Sequence, residues 1–238
     1  MKFAIIAAGE GSRLSQEGVA VPKPLVKIKG ETMIGRLFRI FNENGATEIV
    51  VIANTLNNRT ADYIKDCISR KTFGNIRLVE KTTPSSMHSF YEISPYLEDG
   101  PFCLTTVDTI FREDEFKCYI EAFRQCRDDA LMGVTDFVDD EKPLYVGTDT
   151  DMNITGFHDV NEGDTYISGG IYCLRPSALP VLRKCVNEGK SRMRNFQRAL
   201  VESGLHLKAW RFSKVIDVDH LSDIKKAEHF VANYTPLL

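Results

Sequence analysis

The chain has 238 residues, of which 43% are hydrophobic and 26% charged, and its formal net charge at pH 7 is −3. This length can bury the core of one sizeable α/β domain, and the composition is ordinary for a globular protein. The slightly negative net charge argues against sequence-independent electrostatic binding of nucleic acid. No apolar run approaches the roughly 18 residues that a membrane span requires. We therefore expect no nucleic-acid partner and no membrane partner, and the sequence leaves the oligomeric state unknown.

The cysteines and histidines show neither a metal-site pattern nor a disulfide framework. None of the six cysteines forms a Cys-x-x-Cys pair, and the five histidines lack the spacing of zinc ligands. Most of the cysteines lie in apolar patterns typical of buried helices or strands, where a reduced thiol is the usual state. The N-terminus shows no signal-peptide cleavage pattern. We therefore expect a cytoplasmic location.

The first half of the chain alternates predicted strands and helices. Predicted strands occupy residues 3–7, 49–52, 76–79 and 102–107, and the first of them is a short continuous apolar run typical of a buried parallel strand. Between these strands, helices are predicted around residues 33–41, 63–68 and 86–97. Gly45 follows the first of these helices and is expected to end it.

The second half is predicted to be less regular. Its predicted strands lie at residues 130–135, 166–174, 206–212 and 215–218. Its predicted helices lie at residues 113–126, 177–188, 194–203 and from 221 onward. The polar segment 136–164 separates the first two of these strands, and we expect it to contain short antiparallel strands.

This order of elements indicates the fold class. Strand–helix alternation with short links favours a Rossmann-like three-layer α/β sandwich, with a mostly parallel mixed central sheet and helices on both faces. No internal repeat, low-complexity tract or break in composition marks a linker. We therefore predict a single domain over residues 1–238.

A glycine-containing turn follows the first predicted strand. Gly9 and Gly11 have no Cβ, so the main chain there can approach a phosphate chain closely. Arg13 offers a planar guanidinium and Lys23 a compact ammonium, and the prolines on either side of Lys23 stiffen the segment that presents it. We predict a nucleotide triphosphate site formed by Ala8, Gly9, Gly11, Ser12, Arg13 and Lys23.

Two other phosphate-binding motifs do not fit this turn. No Lys-Ser or Lys-Thr follows Gly11 at the spacing of a Walker A loop. A dinucleotide fingerprint requires a third glycine where Leu14 stands and an acid after the second strand, which ends in Ala53-Asn54. An isolated Gly-x-Gly is most often a surface turn, so the prediction depends on the strand before it and the cations beside it.

Two sequence segments carry a resemblance to a known family. Ala8-Gly9-Glu10-Gly11-Ser12-Arg13-Leu14, followed by Pro22-Lys23-Pro24-Leu25, resembles the signature of the sugar-phosphate nucleotidyltransferases. Members of that family join a nucleoside triphosphate to a phosphorylated sugar, or to a related phosphate such as phosphocholine. The resemblance covers most of the chain and is weak between about 130 and 165. It implies a nucleotide-diphospho-sugar transferase fold and catalytic roles for Arg13 and Lys23.

The resemblance also implies a magnesium site made of aspartates. Asp108 directly follows the fourth predicted strand, where parallel sheets place their ligands, and it matches the position of the family's metal-binding aspartate. Asp217 matches a second metal-binding position near the C-terminus. Asp219 is either a third ligand or the N-cap of the final helix. Carboxylates and phosphate oxygens are the ligands that Mg²⁺ prefers.

Acceptor and base recognition are expected at two further places. Gly169 and Gly170 resemble the family's glycine-containing strand beside the sugar, with a β-bulge as the alternative explanation. Ser86 lies where sugar-specific members often have a Gly-Thr, and it either contacts the nucleotide or N-caps a helix. Gly156-Phe157-His158-Asp159-Val160 lacks the lysine with which many members hold the acceptor phosphate.

Together these features predict a magnesium-dependent enzyme that transfers an NMP from a nucleoside triphosphate to a sugar phosphate or related phosphorylated acceptor, with release of pyrophosphate. One alternative is a cytidylyltransferase acting on phosphocholine or a polyol phosphate, which the short chain and the Asp217-Val218-Asp219 sequence favour. Another is a non-catalytic nucleotide-binding module of the same fold, which the missing lysine and the replaced Gly-Thr favour. A dehydrogenase is disfavoured, because Leu14 stands where the dinucleotide fingerprint requires its third glycine.

Overall fold

The computed structural model describes residues 1–139 and 142–232. Residues 140–141 of the polar segment and residues 233–238 of the predicted domain lie outside the described residues. In the part of the chain that is described, no helix combines the length and the apolar character needed to cross a bilayer.

Thirteen strands lie within the described residues. They are β1 (Lys2–Ala7), β2 (Lys27–Ile28), β3 (Glu31–Thr32), β4 (Ile49–Ala53), β5 (Ile76–Glu80), β6 (Phe102–Thr106), β7 (Thr109–Ile110), β8 (Ala130–Thr135), β9 (Tyr145–Thr148), β10 (Ile154–His158), β11 (Tyr166–Leu174), β12 (Leu207–Arg211) and β13 (Ile216–Asp217). Nine of them form one sheet, while β2–β3 and β7–β13 form separate two-stranded ribbons. The short antiparallel strands expected in the polar segment are β9 and β10.

The same residues contain eight α-helices and two short 3₁₀ turns. The helices are α1 (Ser12–Gln16), α2 (Met33–Glu43), α3 (Asn58–Ser69), α4 (Ser86–Ile93), α5 (Glu113–Gln125), α6 (Ala178–Asn187), α7 (Met193–Glu202) and α8 (Leu221–Ala232). The 3₁₀ turns span Lys23–Leu25 and Ser94–Leu97. Gly45 follows α2 with a φ of +75°, as expected of a glycine that ends a helix.

The central sheet is mixed. β6, β1, β4 and β5 are parallel neighbours in that order, as the strand–helix alternation of the first half predicts. β11 joins them to the second half, because it pairs antiparallel with β6 on one side and with β8 on the other. β12 then extends the sheet parallel to β8, and β9 pairs with the start of β11.

Apolar side chains cover both faces of the sheet. Ala4 and Ile6 of β1 are buried on one face in a cluster with α4, α6 and α7, whereas Phe3 and Ile5 are buried on the other face with α2 and α5. Successive side chains of a strand point to opposite faces, so a continuous apolar run supplies both layers. The predicted three-layer α/β sandwich is confirmed.

A third and smaller apolar cluster lies below the strand ends. Leu14 of α1, Ile110 of β7, Val218 after β13 and Ala227 of α8 are all buried in it. These side chains leave water only when the segments that carry them meet, so their burial stabilises the assembly of the N-terminal turn with the C-terminal helix.

Some predicted elements differ in detail from the observed ones. The helix predicted to reach Leu97 is α-helical only to Ile93 and continues as a 3₁₀ turn, because Pro95 has no backbone N–H for an α-helical hydrogen bond. The sequence patterns do not predict α1, the β2–β3 ribbon or β7. Each of these elements has five residues or fewer, which is too short to show a periodic pattern.

Candidate active site

The carboxyl ends of β1 and β6 open on a cleft of about 530 Å³. Ligands of open α/β sheets bind at this end of the strands. The cleft is lined by the residues predicted to bind nucleotide and by two of the predicted metal ligands, namely Ala8, Gly9, Gly11, Ser12, Arg13, Lys23, Ser86, Asp108 and Asp219. The structure therefore brings together residues from distant parts of the sequence.

The turn after β1 depends on Gly11. Its φ of +62° is in the left-handed region, and a Cβ at this position would lie 2.8 Å from Cβ of Lys23. Both the backbone conformation and the close approach therefore require glycine here. A Cβ on Gly9 would meet no atom within 4 Å. The side-chain amide of Asn54 donates to the carbonyl oxygens of Gly9 (3.1 Å) and Ala8 (3.3 Å), which holds the turn against the end of β4.

Lys23 lies between two acids. Its side chain is only 10% exposed, and its ammonium forms ion pairs with Asp108 and with Oδ1 of Asp219, the second at 2.5 Å. Burial alone would lower the pKa of Lys23, but the two carboxylates outweigh that effect and raise the pKa above its ordinary value. Lys23 is therefore a permanent positive charge in the wall of the cleft.

Asp108 has one oxygen paired and one oxygen unsatisfied. Burial favours the neutral carboxyl group, yet the ammonium of Lys23 holds the pKa of Asp108 below its ordinary value, so the group is ionised at neutral pH. Oδ2 forms the ion pair with Lys23. Oδ1 is buried and has no hydrogen-bond partner among the described residues. An unpartnered buried carboxylate oxygen is costly, and a bound cation would satisfy it.

Arg13 reaches the same C-terminal acid as Lys23. Its Nη1 lies 2.9 Å from Oδ2 of Asp219, so this carboxylate contacts Arg13 with one oxygen and Lys23 with the other. The side chains of Arg13 and Asp219 are both about half exposed. A ligand entering the cleft can therefore reach this ion pair.

The β7–β13 ribbon places Asp217 beside the strand end that carries Asp108. Asp217 lies opposite Thr109, the residue that follows Asp108. The N–H of Val218 donates to the carbonyl of Asp108 at 3.1 Å. Backbone hydrogen bonds thus attach the closing Asp-Val-Asp segment to the strand end that carries Asp108, although the two lie in opposite halves of the sequence.

A second pocket of about 380 Å³ adjoins the first. Arg13 and Asp219 line both pockets, so the two spaces meet at this ion pair. The second pocket is also lined by Asp217 and by the predicted acceptor residue Gly169. The residues predicted to bind nucleotide and the predicted acceptor residue Gly169 thus lie in neighbouring spaces that share one border, whereas Gly170 lines neither space.

The glycine pair of β11 lies in a β-bulge. The register of β11 against β8 shifts between Ser168 and Tyr172, and Gly170 has a φ of +70°. A Cβ on Gly169 would lie 3.2 Å from the carbonyl oxygen of Gly133, which is tight. The bulge that the sequence left as an alternative is therefore present, and Gly169 nevertheless borders the second pocket.

Asp108 and Asp217 both act electrostatically on one buried hydroxyl group. Burial, with the negative charges of Asp217 and Asp108, raises the pKa of Tyr172 to about 12, although a hydrogen bond with Ser168 opposes the shift.

Within residues 1–139 and 142–232, no three His, Cys, Asp or Glu side chains already form a metal-binding cluster. A divalent ion here would therefore need phosphate or water oxygens besides the carboxylates.

The residue that caps α4 is Ser85, one position before Ser86, which the sequence offered as a possible cap. Oγ of Ser85, not that of Ser86, accepts the hydrogen bond from the N–H of His88, at 3.5 Å. Ser86 is the first residue of the helix, and it lines the larger cleft. The contact of Ser86 with the nucleotide stays a prediction, whereas the idea that Ser86 caps the helix is wrong.

Asp223, and not Asp219, satisfies the backbone at the start of α8. Oδ2 of Asp223 accepts hydrogen bonds from the N–H groups of His220 at 2.8 Å and Asp219 at 3.2 Å. The side chain of Asp219 is directed instead to Arg13 and Lys23. The capping role considered for Asp219 is therefore wrong. An acid in the first turn of a helix is a recognisable sequence signal, and Asp223 carries it.

Two arginines lie beside the segment that lacks the expected lysine. Asp159, next to that position, forms ion pairs with Arg194 at 2.5 Å and Arg198 at 2.8 Å, both on α7. Val160, which stands at the lysine position, is 72% exposed. The segment thus keeps positive side chains nearby, although none of them is at the position that the resemblance implies.

The chain belongs to the family of the MobA-like NTP transferase domain, whose model matches residues 3–203. The resemblance to nucleotidyltransferases that the N-terminal motifs carry is thereby confirmed. The matched range includes Arg13, Lys23 and Asp108 and ends before Asp217.

Curated relatives match over parts of their length. A bifunctional IPC transferase and DIPP synthase of Thermococcus kodakarensis is 29% identical over 111 residues, which are 46% of this chain and 24% of the relative. A glucose-1-phosphate cytidylyltransferase of Salmonella typhimurium is 33% identical over 51 residues, 21% of this chain and 20% of the relative. The matched segments therefore span about a quarter or less of these relatives.

Two solved structures share the fold over almost the whole chain. The inositol-1-phosphate CTP transferase from T. maritima has a TM-score of 0.81 at 18% identity, covering 99% of this chain and 98% of that one. A putative glucose-1-phosphate thymidylyltransferase from Bacillus anthracis, in complex with a sucrose, has a TM-score of 0.85 at 17% identity, covering 100% and 98%. At these identities the likeness establishes the fold.

Proposed function

We propose that this chain is a nucleotidyltransferase, which transfers an NMP from a nucleoside triphosphate to a sugar phosphate or related phosphorylated acceptor and releases pyrophosphate. The observation that carries the proposal is the position of Lys23, whose ammonium contacts Asp108 and Asp219 beside the glycine turn. Family membership and the fold support it.

The larger cleft is the proposed triphosphate site. Gly9 and Gly11 leave the main chain open to phosphate oxygens, and Arg13 and Lys23 supply two positive charges. Both cations now contact the carboxylate of Asp219. Phosphate oxygens would compete with that carboxylate for them, so Asp219 would hold the cations in place before the nucleotide arrives.

The proposed step is an in-line displacement at the α-phosphorus. An oxygen of the acceptor phosphate forms a bond to the α-phosphorus, and the bond to the oxygen that bridges the α- and β-phosphates breaks, its electron pair leaving with pyrophosphate. Arg13 and Lys23 would stabilise the charge on the phosphate oxygens. A phosphate monoester, with a second pKa of about 6, is largely ionised at neutral pH, so the step requires no side-chain general base.

We propose Mg²⁺ as the cofactor, with Asp108 and Asp217 as ligands and Asp219 as a third candidate. The buried and unpartnered Oδ1 of Asp108 fits this role, because it is an oxygen donor of the kind that Mg²⁺ prefers. When bound, the ion would neutralise charge on the triphosphate. The contacts of Asp219 with Arg13 and Lys23 favour its role as their counter-ion.

The second pocket is the proposed acceptor site. It meets the triphosphate cleft at Arg13 and Asp219, so an acceptor phosphate at this border would be next to the nucleotide. Gly169 lines this pocket and Gly170 shapes the bulge behind it. We propose both glycines for acceptor binding.

Cytidylyl transfer is the form of the function to test first. Two of the similar proteins are named for CTP or for cytidylyl transfer. Four nucleoside triphosphates should be incubated with Mg²⁺ and a panel of acceptors, including sugar 1-phosphates, inositol 1-phosphate, a polyol phosphate and phosphocholine. Pyrophosphate release from a specific pair would support the proposal. Nucleotide binding by calorimetry, with no product from any acceptor, would favour a non-catalytic module.

A substitution tests the metal assignment within the same assay. We expect Asp108→Asn to reduce activity at least about 100-fold, because the amide cannot replace a charged ligand. Asp99→Asn is the matched control, since Asp99 forms an ion pair with Lys2 at the surface. Full activity of Asp108→Asn would overturn the assignment.

We also propose one domain over residues 1–238 and a cytoplasmic location. The six cysteines, all within the described residues, are free thiols, which fits a reducing compartment. The three apolar clusters all lie on or beside one sheet, which fits a single folding unit.

A further inference from the structure

Glu17 lies at the end of α1, one helical turn after Arg13. Its backbone N–H donates to the carbonyl of Arg13 at 3.0 Å, which continues the helical hydrogen-bond pattern. Neither of the two pockets described above includes Glu17 in its lining. Glu17 therefore belongs to the same short helix as a proposed phosphate-binding residue but does not border the ligand spaces.

Both carboxylate oxygens of Glu17 contact the start of α8. Oε2 accepts the backbone N–H of Leu221 at 2.6 Å, and Oε1 lies 2.6 Å from Nδ1 of His220. The hydrogen bond from His220, together with that from Leu221, holds the pKa of Glu17 below its ordinary value, so the carboxylate is ionised at neutral pH. A carboxylate at this end of a helix is also favoured by the helix dipole.

α1 and the start of α8 are thus attached at two points. Arg13 contacts Asp219 with its guanidinium, and Glu17, one turn further along α1, contacts the two residues that follow Asp219. One contact alone would leave the two segments free to rotate about it, whereas two contacts fix their relative angle. The N-terminal segment supplies the cation, Arg13, at the first point and the anion, Glu17, at the second.

The two attachments differ in what ligand binding would do to them. Under the proposed function, phosphate oxygens compete with Asp219 for the guanidinium of Arg13. Glu17 lines neither pocket, and its hydrogen bond with the N–H of Leu221 lies outside both and would persist, whereas its other partner, His220, lines the second pocket. The Glu17–Leu221 hydrogen bond would then be the polar contact that keeps the start of α8 attached to α1 while Arg13 turns to the nucleotide.

We propose that Glu17 is a positioning residue, which holds the Asp217–Asp219 segment against α1 through His220 and Leu221 so that the acids stay aligned with the triphosphate cleft. This inference rests on the proposed function for its catalytic consequence. The attachment itself can be tested without catalysis.

The structural test is hydrogen exchange of the wild type and of Glu17→Ala without nucleotide or Mg²⁺. Without the acceptor oxygen, the amide of Leu221 should exchange about tenfold or more faster, whereas amides in β1 and β4 keep their rates. Gln16→Ala is the matched control, being the adjacent exposed residue of the same helix. Unchanged protection of Leu221 in Glu17→Ala would overturn the inference, whether or not the chain has the proposed activity.

The catalytic test uses the triphosphate and acceptor pair identified by the panel. We expect Glu17→Ala to lower kcat about 10- to 100-fold and to raise the Mg²⁺ concentration needed for half activity, because misplaced acids align poorly. The KM for the triphosphate should change less than threefold, since the cations remain. Glu17→Gln keeps an oxygen for the N–H of Leu221 and should recover part of the loss.

The outcomes separate the two proposals. If no pair releases pyrophosphate with the wild type, the proposed function fails, and hydrogen exchange still decides the attachment. If the wild type is active and Glu17→Ala keeps its kcat and its Mg²⁺ dependence, the positioning role is overturned while the proposed function stands. A general loss of protection across the sheet in Glu17→Ala would assign Glu17 to overall folding and would also overturn the role.

Discussion

The ammonium of Lys23 lies 2.5 Å from Oδ1 of Asp219, although 196 residues separate the two in the sequence. The same ammonium also contacts Asp108 at the end of β6. This largely buried cation, which two acids share, links the 3₁₀ turn at Lys23 to the end of β6 and to the segment before α8. Removal of the charge on Lys23 would leave Asp108 and Asp219 without the cation that they share.

We expect Lys23→Met to lower the free energy of unfolding by about 1–3 kcal/mol, because Asp108 keeps a partly buried charge without its partner. The range is below that of a fully buried pair because both acids retain some exposure. Activity should fall at least about 100-fold. Urea denaturation and pyrophosphate release measure the two effects, with Lys27→Met as an exposed control. Wild-type stability in Lys23→Met would contradict the central role of this ion pair.

Gly11→Ala should destabilise the protein by about 1–2 kcal/mol. The cost comes from a left-handed backbone and from the 2.8 Å approach of the new Cβ to Lys23. Gly9→Ala is the matched comparison, because its Cβ would meet no atom within 4 Å, and its stability should stay within about 0.5 kcal/mol of the wild type. Denaturation midpoints of the two variants decide the matter; equal midpoints would mean that the turn readily adjusts at Gly11.

The observed helix cap leads to a test with two neighbouring serines. Ser85→Ala should cost about 1 kcal/mol, because it removes the acceptor for the N–H of His88 at the start of α4. Ser86→Ala should stay within about 0.5 kcal/mol in stability. Thermal unfolding of both variants checks this. A larger loss in Ser86→Ala than in Ser85→Ala would show that the cap is misassigned.

His158 and Asp164 form a pair whose contribution depends on pH. The carboxylate of Asp164, 2.8 Å from Nδ1 of His158, raises the pKa of His158 above 6.5. The stabilisation is therefore complete below about pH 6.5 and is lost as the pH rises through the folded-state pKa. It should not exceed about 1 kcal/mol, since the pair lies near the surface. His158→Gln should remove this part of the pH dependence of the unfolding free energy; an unchanged profile from pH 6 to 8.5 would contradict the pairing.

The parallel part of the fold is readable from the sequence for a simple physical reason. Strands buried on both faces are continuous apolar runs, so residues 3–7 and 49–52 stand out, and they occur as β1 and β4. The strands predicted at residues 76–79 and 102–107 contain Arg77 and two threonines, respectively, and they occur as β5 and β6. β7 has no such signal, whereas β13 lies within the strand predicted at residues 215–218. They exist because they pair with each other across the fold.

The candidate site could be predicted residue by residue but not in its contacts. Chemical type and position at a strand end single out Lys23 and Asp108, whereas their ion pair depends on a fold that the sequence does not display. Glu17 has no local signal, because its partners lie more than 200 positions away. Ser85 and Ser86 are equally good caps by composition, and only backbone geometry separates them.

The β7–β13 ribbon has a consequence for biosynthesis. A ribosome makes the glycine turn well before the Asp-Val-Asp segment, and β13 can pair with β7 only once both have been synthesised. A nascent chain that has released β1 to β12 can form most of the sheet while its cationic turn still lacks the acids from the C-terminal end. Assembly of the site therefore has to wait until the segment through Asp219 has been synthesised.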